Sequence, residues 1–230
     1  MPPPAAESGA QARKAILIVD DHPMLRRGLA ALLESEPSLS VCGNAATCAA
    51  ALEAVRAQRP DLVILDLELE RGTLGGLELI AALAECSPPI PALVLSMHDE
   101  AVYAERALRA GARGYVTKQQ LDDTVLDAVR RVLEGDIYMS PRLADRLAAK
   151  YLGVRTLAAD SPLQVLTNRE LQVFQLVGHG KTTRQIAEEL HLSIKTIESH
   201  SEHIKQKLGL ESRAAMVRSA THWVAGGHMR

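Results

Sequence analysis

The feature that most constrains the fold is a regular alternation of short apolar runs and amphipathic segments over residues 13–136. The predicted strands are the apolar runs at residues 15–19, 39–42, 62–65, 92–95 and 114–116. The predicted helices, with apolar residues at helical spacing, are residues 24–34, 47–58, 77–85, 101–110 and 121–134. Alternating strands and helices favour a parallel sheet with helices on both faces. We therefore predict a doubly wound, five-stranded α/β domain.

The last part of the chain, residues 161–230, contains helical patterns and no strand pattern. Two segments have the sequence of a capping box, Thr167-x-x-Glu170 and Thr182-x-x-Gln185. In a capping box, side chains at the start of a helix bind backbone N–H groups that the helix leaves unpaired. Short capped helices joined by a tight turn are typical of a helix-turn-helix. We predict an all-α, four-helix domain whose third helix is Ile194–Leu208.

Two further segments fit neither pattern. Residues 137–160 interrupt the alternation, and we predict a linker that is partly helical between Pro141 and Tyr151. Residues 1–12 are rich in proline and alanine, and we predict a disordered tail there. This tail lacks the basic start and the apolar centre of a secretory signal.

Composition narrows the class of protein. Of the 230 residues, 47% are hydrophobic, which is enough to build packed cores. No apolar run approaches the roughly 20 residues that cross a bilayer, so we expect no membrane partner. The three cysteines have no metal-like spacing, which favours reduced thiols in a cytoplasmic protein. The net charge of −2 conceals an acidic excess in residues 13–136 and a basic excess in residues 161–230, which suggests two functions in one chain.

Polar residues are predicted to converge at the carboxyl ends of the strands, where open parallel sheets bind ligands. The residues at these ends are Asp20, Asp21, Asp66, Ser96 and Lys118. Two carboxylates about 5 Å apart repel by roughly 3 kcal/mol at an effective dielectric constant near 20. A divalent cation with oxygen ligands, Mg²⁺, would offset this repulsion. With Lys118 and Ser96 beside it, the set predicts a phosphoryl site in which the central Asp66 is the nucleophile.

The same residues carry a resemblance to a known family. Four segments resemble the receiver domain of two-component response regulators: Asp20-Asp21-His22-Pro23, Leu65-Asp66-Leu67, Leu95-Ser96-Met97 and Gly114-Tyr115-Val116-Thr117-Lys118. Two later segments resemble the LuxR-type helix-turn-helix of the NarL/FixJ family: Leu166-Thr167-x-Arg169-Glu170 and Lys195-Thr196-Ile197-Glu198-x-His200. The resemblance spans about residues 14–225. It implies a flavodoxin-like receiver at residues 13–136 and a LuxR-type DNA-binding domain at residues 161–230.

The resemblance also implies roles for individual residues. Asp66 would accept a phosphoryl group from a histidine kinase, and Lys118 would bind the phosphate. Ser96 would turn toward the phosphate and Tyr115 would pack inward, as a switch pair. The groups that would bind Mg²⁺ are the carboxylates of Asp20, Asp21 and Asp66 and the backbone carbonyl of Glu68. The implied function is a phosphorylation-switched transcription regulator, not an enzyme.

The segment after Asp66 departs from the family pattern. The family usually has Asp-x-x-Met-Pro there and a glycine about eight residues on, whereas this chain lacks the proline and has Gly76 ten residues on. We hypothesise that Glu68 or Glu70 disfavours the incoming phosphoryl charge by like-charge repulsion. The departure leaves open an alternative, a phosphorylation-independent DNA-binding regulator with a degenerate receiver loop.

An enzyme is the second alternative, because aspartate-nucleophile phosphatases also use a carboxylate and Mg²⁺. That resemblance requires a nucleophile after the first strand and a second aspartate two residues on. Asp66 instead follows the third predicted strand, and Glu68 stands two residues on. The sequence therefore favours a regulator over a phosphatase.

The predicted third helix of the C-terminal domain has two faces. Ile197, Ile204 and Leu208 are predicted to point inward, with His200 near this buried edge. The outward face carries Lys195, Thr196, Glu198, Ser199, Glu202, Lys205 and Gln206. This helix is predicted to be the recognition helix of the helix-turn-helix.

The outward face is predicted to contact DNA. Glu198, Ser199 and Glu202 are placed for base edges, and a carboxylate can accept a hydrogen bond from cytosine N4. The cations and hydroxyl predicted to contact phosphates are Lys181, Thr182, Arg184, Lys195, Lys205 and Lys207.

A single helix-turn-helix reads only a few base pairs, so a homodimer on double-stranded DNA is expected. The last helix has an apolar stripe made of Met216, Val217, Ala220 and Val224. This stripe is either a dimer surface or part of the core of its own domain, and the sequence leaves both interpretations open.

Overall fold

The computed structural model of the chain describes residues 13–69, 75–97, 100–120, 123–152 and 161–225. The predicted tail, residues 1–12, and the end of the predicted linker, residues 153–160, lie outside these ranges. The strands are β1 Lys14–Val19, β2 Leu39–Ala45, β3 Leu62–Leu65, β4 Ala92–Ser96 and β5 Gly114–Thr117. The first six helices are α1 Pro23–Glu34, α2 Cys48–Gln58, α3 Gly75–Ala84, α4 Glu100–Ala110, α5 Asp123–Leu133 and α6 Pro141–Tyr151. The remaining helices are α7 Asn168–Gly178, α8 Thr183–Glu189, α9 Ile194–Leu208 and α10 Arg213–Val224.

The strands form one parallel sheet in the order β2-β1-β3-β4-β5. Helices α1 and α5 cover one face, and α2, α3 and α4 cover the other. Burial on both faces explains why the strands are continuous apolar runs, as in β3, where every residue is buried. The prediction of a doubly wound, flavodoxin-like sheet is confirmed.

The chain after α5 returns to the edge of the sheet. Tyr138 N donates to Arg113 O at 2.8 Å, and Tyr115 N donates to Tyr138 O at 3.2 Å. Helix α6 follows, and the hydroxyl of its capping residue, Ser140, donates to Glu100 Oε2 at 2.8 Å. The described part of the predicted linker therefore packs against β5 and α4.

The C-terminal half consists of helices α7–α10, preceded by a short 3-10 helix at Pro162–Val165. Both predicted capping boxes form, at the starts of α7 and α8. Ser193 caps α9, and Gly209 ends it in the left-handed conformation at φ 64°. The four-helix helix-turn-helix fold is confirmed. Within the described ranges, no helix has the length and apolar character needed to cross a membrane.

The apolar stripe of α10 packs mainly inside this half. Met216 and Ala220 are fully buried, and Val224 is half-buried. Helices α7 and α10 approach so closely that a Cβ atom on Gly178 would lie 2.5 Å from Ala220 O. Of the four stripe residues, Val217 alone is exposed. The stripe therefore belongs mostly to the core of its own domain.

The two halves of the molecule meet on α4. Arg106 of this helix donates hydrogen bonds to three acceptors from the segment that leads into α7. These acceptors are Leu163 O at 3.1 Å, Leu166 O at 2.7 Å and Asn168 Oδ1 at 2.8 Å. Gln164 Nε2 donates to Ala101 O at 2.7 Å. One arginine thus holds backbone carbonyls that the start of the C-terminal half presents to α4.

An aromatic cluster lies beside Arg106. The ring of Tyr103, fully buried, stacks on Trp223 with 6.2 Å between centroids and 19° between planes. Phe174 lies 5.9 Å from the same tryptophan ring. The interface between the halves therefore combines stacked rings with charge-assisted hydrogen bonds to main-chain oxygens.

Candidate functional site

An acidic pocket lies at the carboxyl ends of the strands. Asp20 follows β1, Asp66 follows β3, and Lys118 follows β5. The ammonium of Lys118 lies 2.6 Å from Asp20 Oδ2 and 2.5 Å from Asp66 Oδ2, and all three side chains are buried. The parallel sheet brings together residues that stand far apart in the sequence, as predicted.

Burial and charge act against each other in this pocket. Burial raises the pKa of Asp66, and the adjacent Lys118 only partly offsets this effect. Burial lowers the pKa of Lys118, but the attraction of Asp66 and Asp20 outweighs it and leaves that pKa above the usual lysine value. Lys118 therefore stays a cation between two carboxylates.

Asp21 and His22 complete the acidic cluster. Ligand atoms of Asp20, Asp21, His22 and Asp66 all lie within 4.8 Å of one another. Asp21 Oδ1 is buried and accepts no hydrogen bond from the described residues, although His22 Nδ1 lies 2.7 Å away. Carboxylate oxygens that lack donors are suitable ligands for a hard divalent cation. The donor set therefore fits a cation such as Mg²⁺.

The two described ends of the segment after Asp66 lie close to the pocket. Glu68 N donates to Asp66 Oδ1 at 3.3 Å. Gly76 N donates to Leu67 O at 3.1 Å, and a Cβ atom on Gly76 would lie 2.5 Å from Asp66 O. A side chain at this position would collide with backbone atoms, so the close approach requires glycine. Glu70 lies outside the described residues, as do residues 71–74.

The predicted switch pair is buried. Ser96, the last residue of β4, pairs with Thr117, the residue before Lys118, and this register brings Ser96 to the edge of the pocket. Tyr115 is 1% exposed. Tyr115 is therefore covered in this structure, and its role in a switch stays a prediction.

A second candidate site is the exposed face of α9. Ile197 and Ile204 are buried as predicted, and His200 is half-buried. Burial also lowers the pKa of His200. The exposed residues on the opposite side include Lys195, Glu198, Ser199, Glu202 and Gln206, while Thr196 and Lys205 are half-buried. The helix therefore presents a continuous polar surface to solvent.

The residues predicted to contact phosphates differ in their surroundings. Lys195 and Thr182 are exposed, and Thr182 caps α8. Four of the predicted cations are paired within their own domain: Lys181 with Glu189 at 3.3 Å, Arg184 with Glu188 at 3.1 Å, Lys205 with Glu202 at 2.8 Å and Lys207 with Glu170 at 2.7 Å. Lys207 differs from the other three because its partner, Glu170, is buried.

Sequence reasoning missed several residues that shape these sites. Arg26 donates to Asp20 O at 2.6 Å and so fixes the backbone of the acidic pocket. The sequence did place Arg26 one turn into the helix that follows Asp20-Asp21, and this position could have suggested the contact. Tyr103, Arg106 and Trp223 join the two halves, and no local pattern distinguished them from ordinary core and surface residues.

Comparisons with known proteins agree with this architecture. The model of the response regulator receiver domain matches residues 16–130. The model of bacterial regulatory proteins of the luxR family matches residues 164–220. The two matches lie on the parallel sheet with its helices and on the helix-turn-helix half, respectively.

Similar proteins cover most of the chain. The oxygen regulatory protein NreC of Staphylococcus carnosus (strain TM300) is 34% identical over 208 residues, which are 89% of this chain and 95% of that protein. A crystal structure of a LuxR-family two-component response regulator from Aurantimonas sp. SI85-9A1 is 32% identical, with a TM-score of 0.56. The match covers 61% of this chain and 99% of the chain in that crystal structure.

RcsB from Salmonella enterica serovar Typhimurium, bound to the promoter rprA, has the same fold with a TM-score of 0.68 and 24% identity. The match covers 91% of this chain and 98% of that one. The chain therefore belongs to the LuxR family of two-component response regulators, with an N-terminal receiver domain and a C-terminal helix-turn-helix domain.

Proposed function

We propose that a histidine kinase phosphorylates this response regulator on Asp66 and that the modified chain regulates transcription by binding promoter DNA. The observation that carries this proposal is the buried contact of Lys118 with Asp66 and Asp20, beside an oxygen of Asp21 that accepts no hydrogen bond from the described residues. A fixed cation next to a carboxylate nucleophile is what a phosphoryl acceptor site requires.

The transfer uses groups that already lie in the pocket. A carboxylate oxygen of Asp66 attacks the phosphorus of the kinase phosphohistidine, the P–O bond forms as the P–N bond breaks, and the imidazole keeps the electron pair. Lys118 and the Ser96 hydroxyl bind the phosphoryl oxygens. Asp20, Asp21, Asp66 and the Glu68 carbonyl would hold Mg²⁺, which neutralises charge on those oxygens when it is bound.

Helix α4 is the element through which the phosphoryl group acts on the C-terminal half. The modification adds roughly −1.5 to −2 charges next to Lys118 and Ser96. Ser96 ends β4, and the next described element is α4, which carries Tyr103 and Arg106. A displacement of α4 loosens the contacts of these two residues with the C-terminal half. The domains then become free to pair with a second copy of the chain.

The exposed face of α9 supplies the DNA contacts. Glu198, Ser199 and Glu202 face base edges in this proposal. The groups that hold the phosphates are Lys181, Thr182, Arg184, Lys195, Thr196 and Lys205, and Lys207 joins them if its ion pair with Glu170 opens. Two copies of the chain bind as a homodimer, because one helix-turn-helix reads too few base pairs for specific affinity. A regulator of promoter DNA acts in the cytoplasm, and we propose that location.

Incubation with acetyl phosphate and Mg²⁺, followed by intact-mass measurement, tests the acceptor. The wild type is expected to gain one phosphoryl group, and Asp66→Asn is expected to gain none because the amide is a poor nucleophile. Asp127→Asn, an exposed carboxylate of α5, is the matched control and should be modified like the wild type.

The same experiment separates this function from the alternative. DNA binding by a wild type that gains no phosphate from acetyl phosphate or from a partner kinase would favour a phosphorylation-independent regulator. A Glu68→Gln variant then tests whether the acidic segment after Asp66 is the cause, since loss of a like charge should restore modification.

A further inference from the structure

The exposed face of α9 has an unusual charge for a surface that meets DNA. Ile197, Ser201 and Ile204 are buried, which fixes the rotation of the helix. The exposed part of the helix then presents Glu198 and Glu202 one turn apart. DNA phosphates repel carboxylates, so these two side chains weaken non-specific binding. Acidic side chains at such positions need a compensating interaction with the bases.

The two carboxylates are available for a partner. Among the described residues, no side-chain hydrogen bond or ion pair involves Glu198. Glu202 has one such partner, Lys205 Nζ at 2.8 Å, and its side chain is still 56% exposed. Exposed ion pairs are weak, so this pair does not prevent either residue from meeting DNA. Lys205 is also close enough to screen Glu202 from the phosphates.

We propose that Glu198 and Glu202 select cytosine in the DNA half-site, an inference that rests on the proposed DNA binding. A carboxylate only accepts hydrogen bonds. In the major groove cytosine presents the N4 donor, whereas guanine presents the acceptors N7 and O6 and thymine presents the acceptor O4. Adenine offers a donor at N6, but its N7 acceptor repels the second carboxylate oxygen. Cytosine is therefore the base that both glutamates favour.

Helix geometry limits the distance between the two selected bases. Residues four apart on an α-helix are separated by about 6 Å along the axis. Successive bases of one strand are separated by about 3.4 Å. Glu198 and Glu202 therefore reach bases about one or two steps apart. Ser199, which neighbours Glu198 on the same face, can donate or accept and does not impose a base of its own.

Selection of bound sequences from a randomised DNA library, with the full-length phosphorylated chain, tests the inference. The wild type is expected to select two cytosines about one or two steps apart in each half-site. Glutamine pairs with N6 and N7 of adenine, so Glu198→Gln and Glu202→Gln should each change one cytosine to adenine. On the wild-type site, each variant should bind roughly tenfold more weakly or worse.

Glu188→Gln is the matched control, because Glu188 is an exposed glutamate of α8 whose described partner is Arg184. It should leave the selected sequence unchanged. Wild type and both α9 variants selecting the same sequence would overturn the inference while leaving DNA binding intact. A wild type that binds no sequence in the library would overturn both the inference and the proposed function.

Discussion

The carboxylates of the two halves have opposite surroundings. Asp20 and Asp66 are buried and share the ammonium of Lys118, which comes from a distant part of the chain. Glu198 and Glu202 are exposed on α9, and the described ion pair of this surface is local, three residues along the same helix. A carboxylate therefore lowers the folding stability of the receiver when it lacks a cation, whereas a carboxylate on α9 hardly affects stability. Substitutions in the first region should change stability, and substitutions in the second should change recognition alone.

The largest effect is expected for Lys118→Met. This change removes the cation and leaves two buried carboxylates next to each other, so we expect a loss of about 3–5 kcal/mol in the free energy of unfolding. Urea denaturation measures it. Lys205→Met, on the exposed face of α9, should change this free energy by less than about 0.5 kcal/mol. Equal losses in both variants would contradict the contrast between the two regions.

Gly76→Ala tests how tightly the pocket is enclosed. The new Cβ atom would lie 2.5 Å from Asp66 O and 2.6 Å from Leu67 Cα, and backbone atoms cannot easily move away. We expect a loss of about 1–3 kcal/mol in unfolding free energy and slower phosphorylation of Asp66. The matched control is Gly28→Ala in α1, where a Cβ atom meets nothing within 4 Å. That variant should be stabilised by up to about 1 kcal/mol, because alanine favours the helix.

Arg106→Ala tests the contact between the two regions. Loss of the guanidinium leaves Leu163 O and Leu166 O without this donor, so the C-terminal half should separate from α4. Small-angle scattering should show a larger radius of gyration, and amides near the start of α7 should exchange faster. Arg109→Ala, on the same helix, removes an exposed arginine whose described partner is Glu105. An unchanged radius in both variants would show that Arg106 does not hold the halves together.

The smallest effect concerns the pH dependence of stability through Glu170. Burial raises the pKa of this carboxyl, but hydrogen bonds from Lys207 and Thr167 outweigh burial and leave the pKa below the usual glutamate value. A lowered folded-state pKa contributes stability above the unfolded value, roughly 4.3, and this contribution is lost as the pH falls through the folded value. Glu170→Gln should therefore be less stable than the wild type near neutral pH, with the difference shrinking below about pH 4. A difference that does not depend on pH would contradict this assignment.

The acidic pocket could be predicted from the sequence because the topology fixes it. Once the strands are identified, a parallel sheet brings together the residues that follow their carboxyl ends. The proximity of Asp20, Asp66 and Lys118 could therefore be predicted from the strand positions alone. The helix starts at Thr167 and Thr182 could be predicted for a similar reason, since a capping box is complete within four residues. In the first case the sheet topology determines the contact, and in the second a local pattern determines it.

Contacts between distant surfaces could not be predicted in the same way. The rings of Tyr103 and Trp223 stack on each other. In the sequence, however, each is only an aromatic residue on an amphipathic helix, and nothing indicates that the two are in contact. Lys207 is polar and lies near the end of α9, which is equally compatible with a DNA phosphate and with its observed partner Glu170. Periodicity identifies the face of a helix, and it does not identify what packs against that face. The stripe on α10 was ambiguous for the same reason.

The stacked pair at the interface has a practical consequence. Trp223 is the only tryptophan of the chain, and its ring lies against Tyr103 of α4. Its fluorescence emission therefore originates within the described contact between the receiver and the helix-turn-helix half. The unlabelled protein carries its own optical probe, and the wavelength of that emission can follow domain separation in real time.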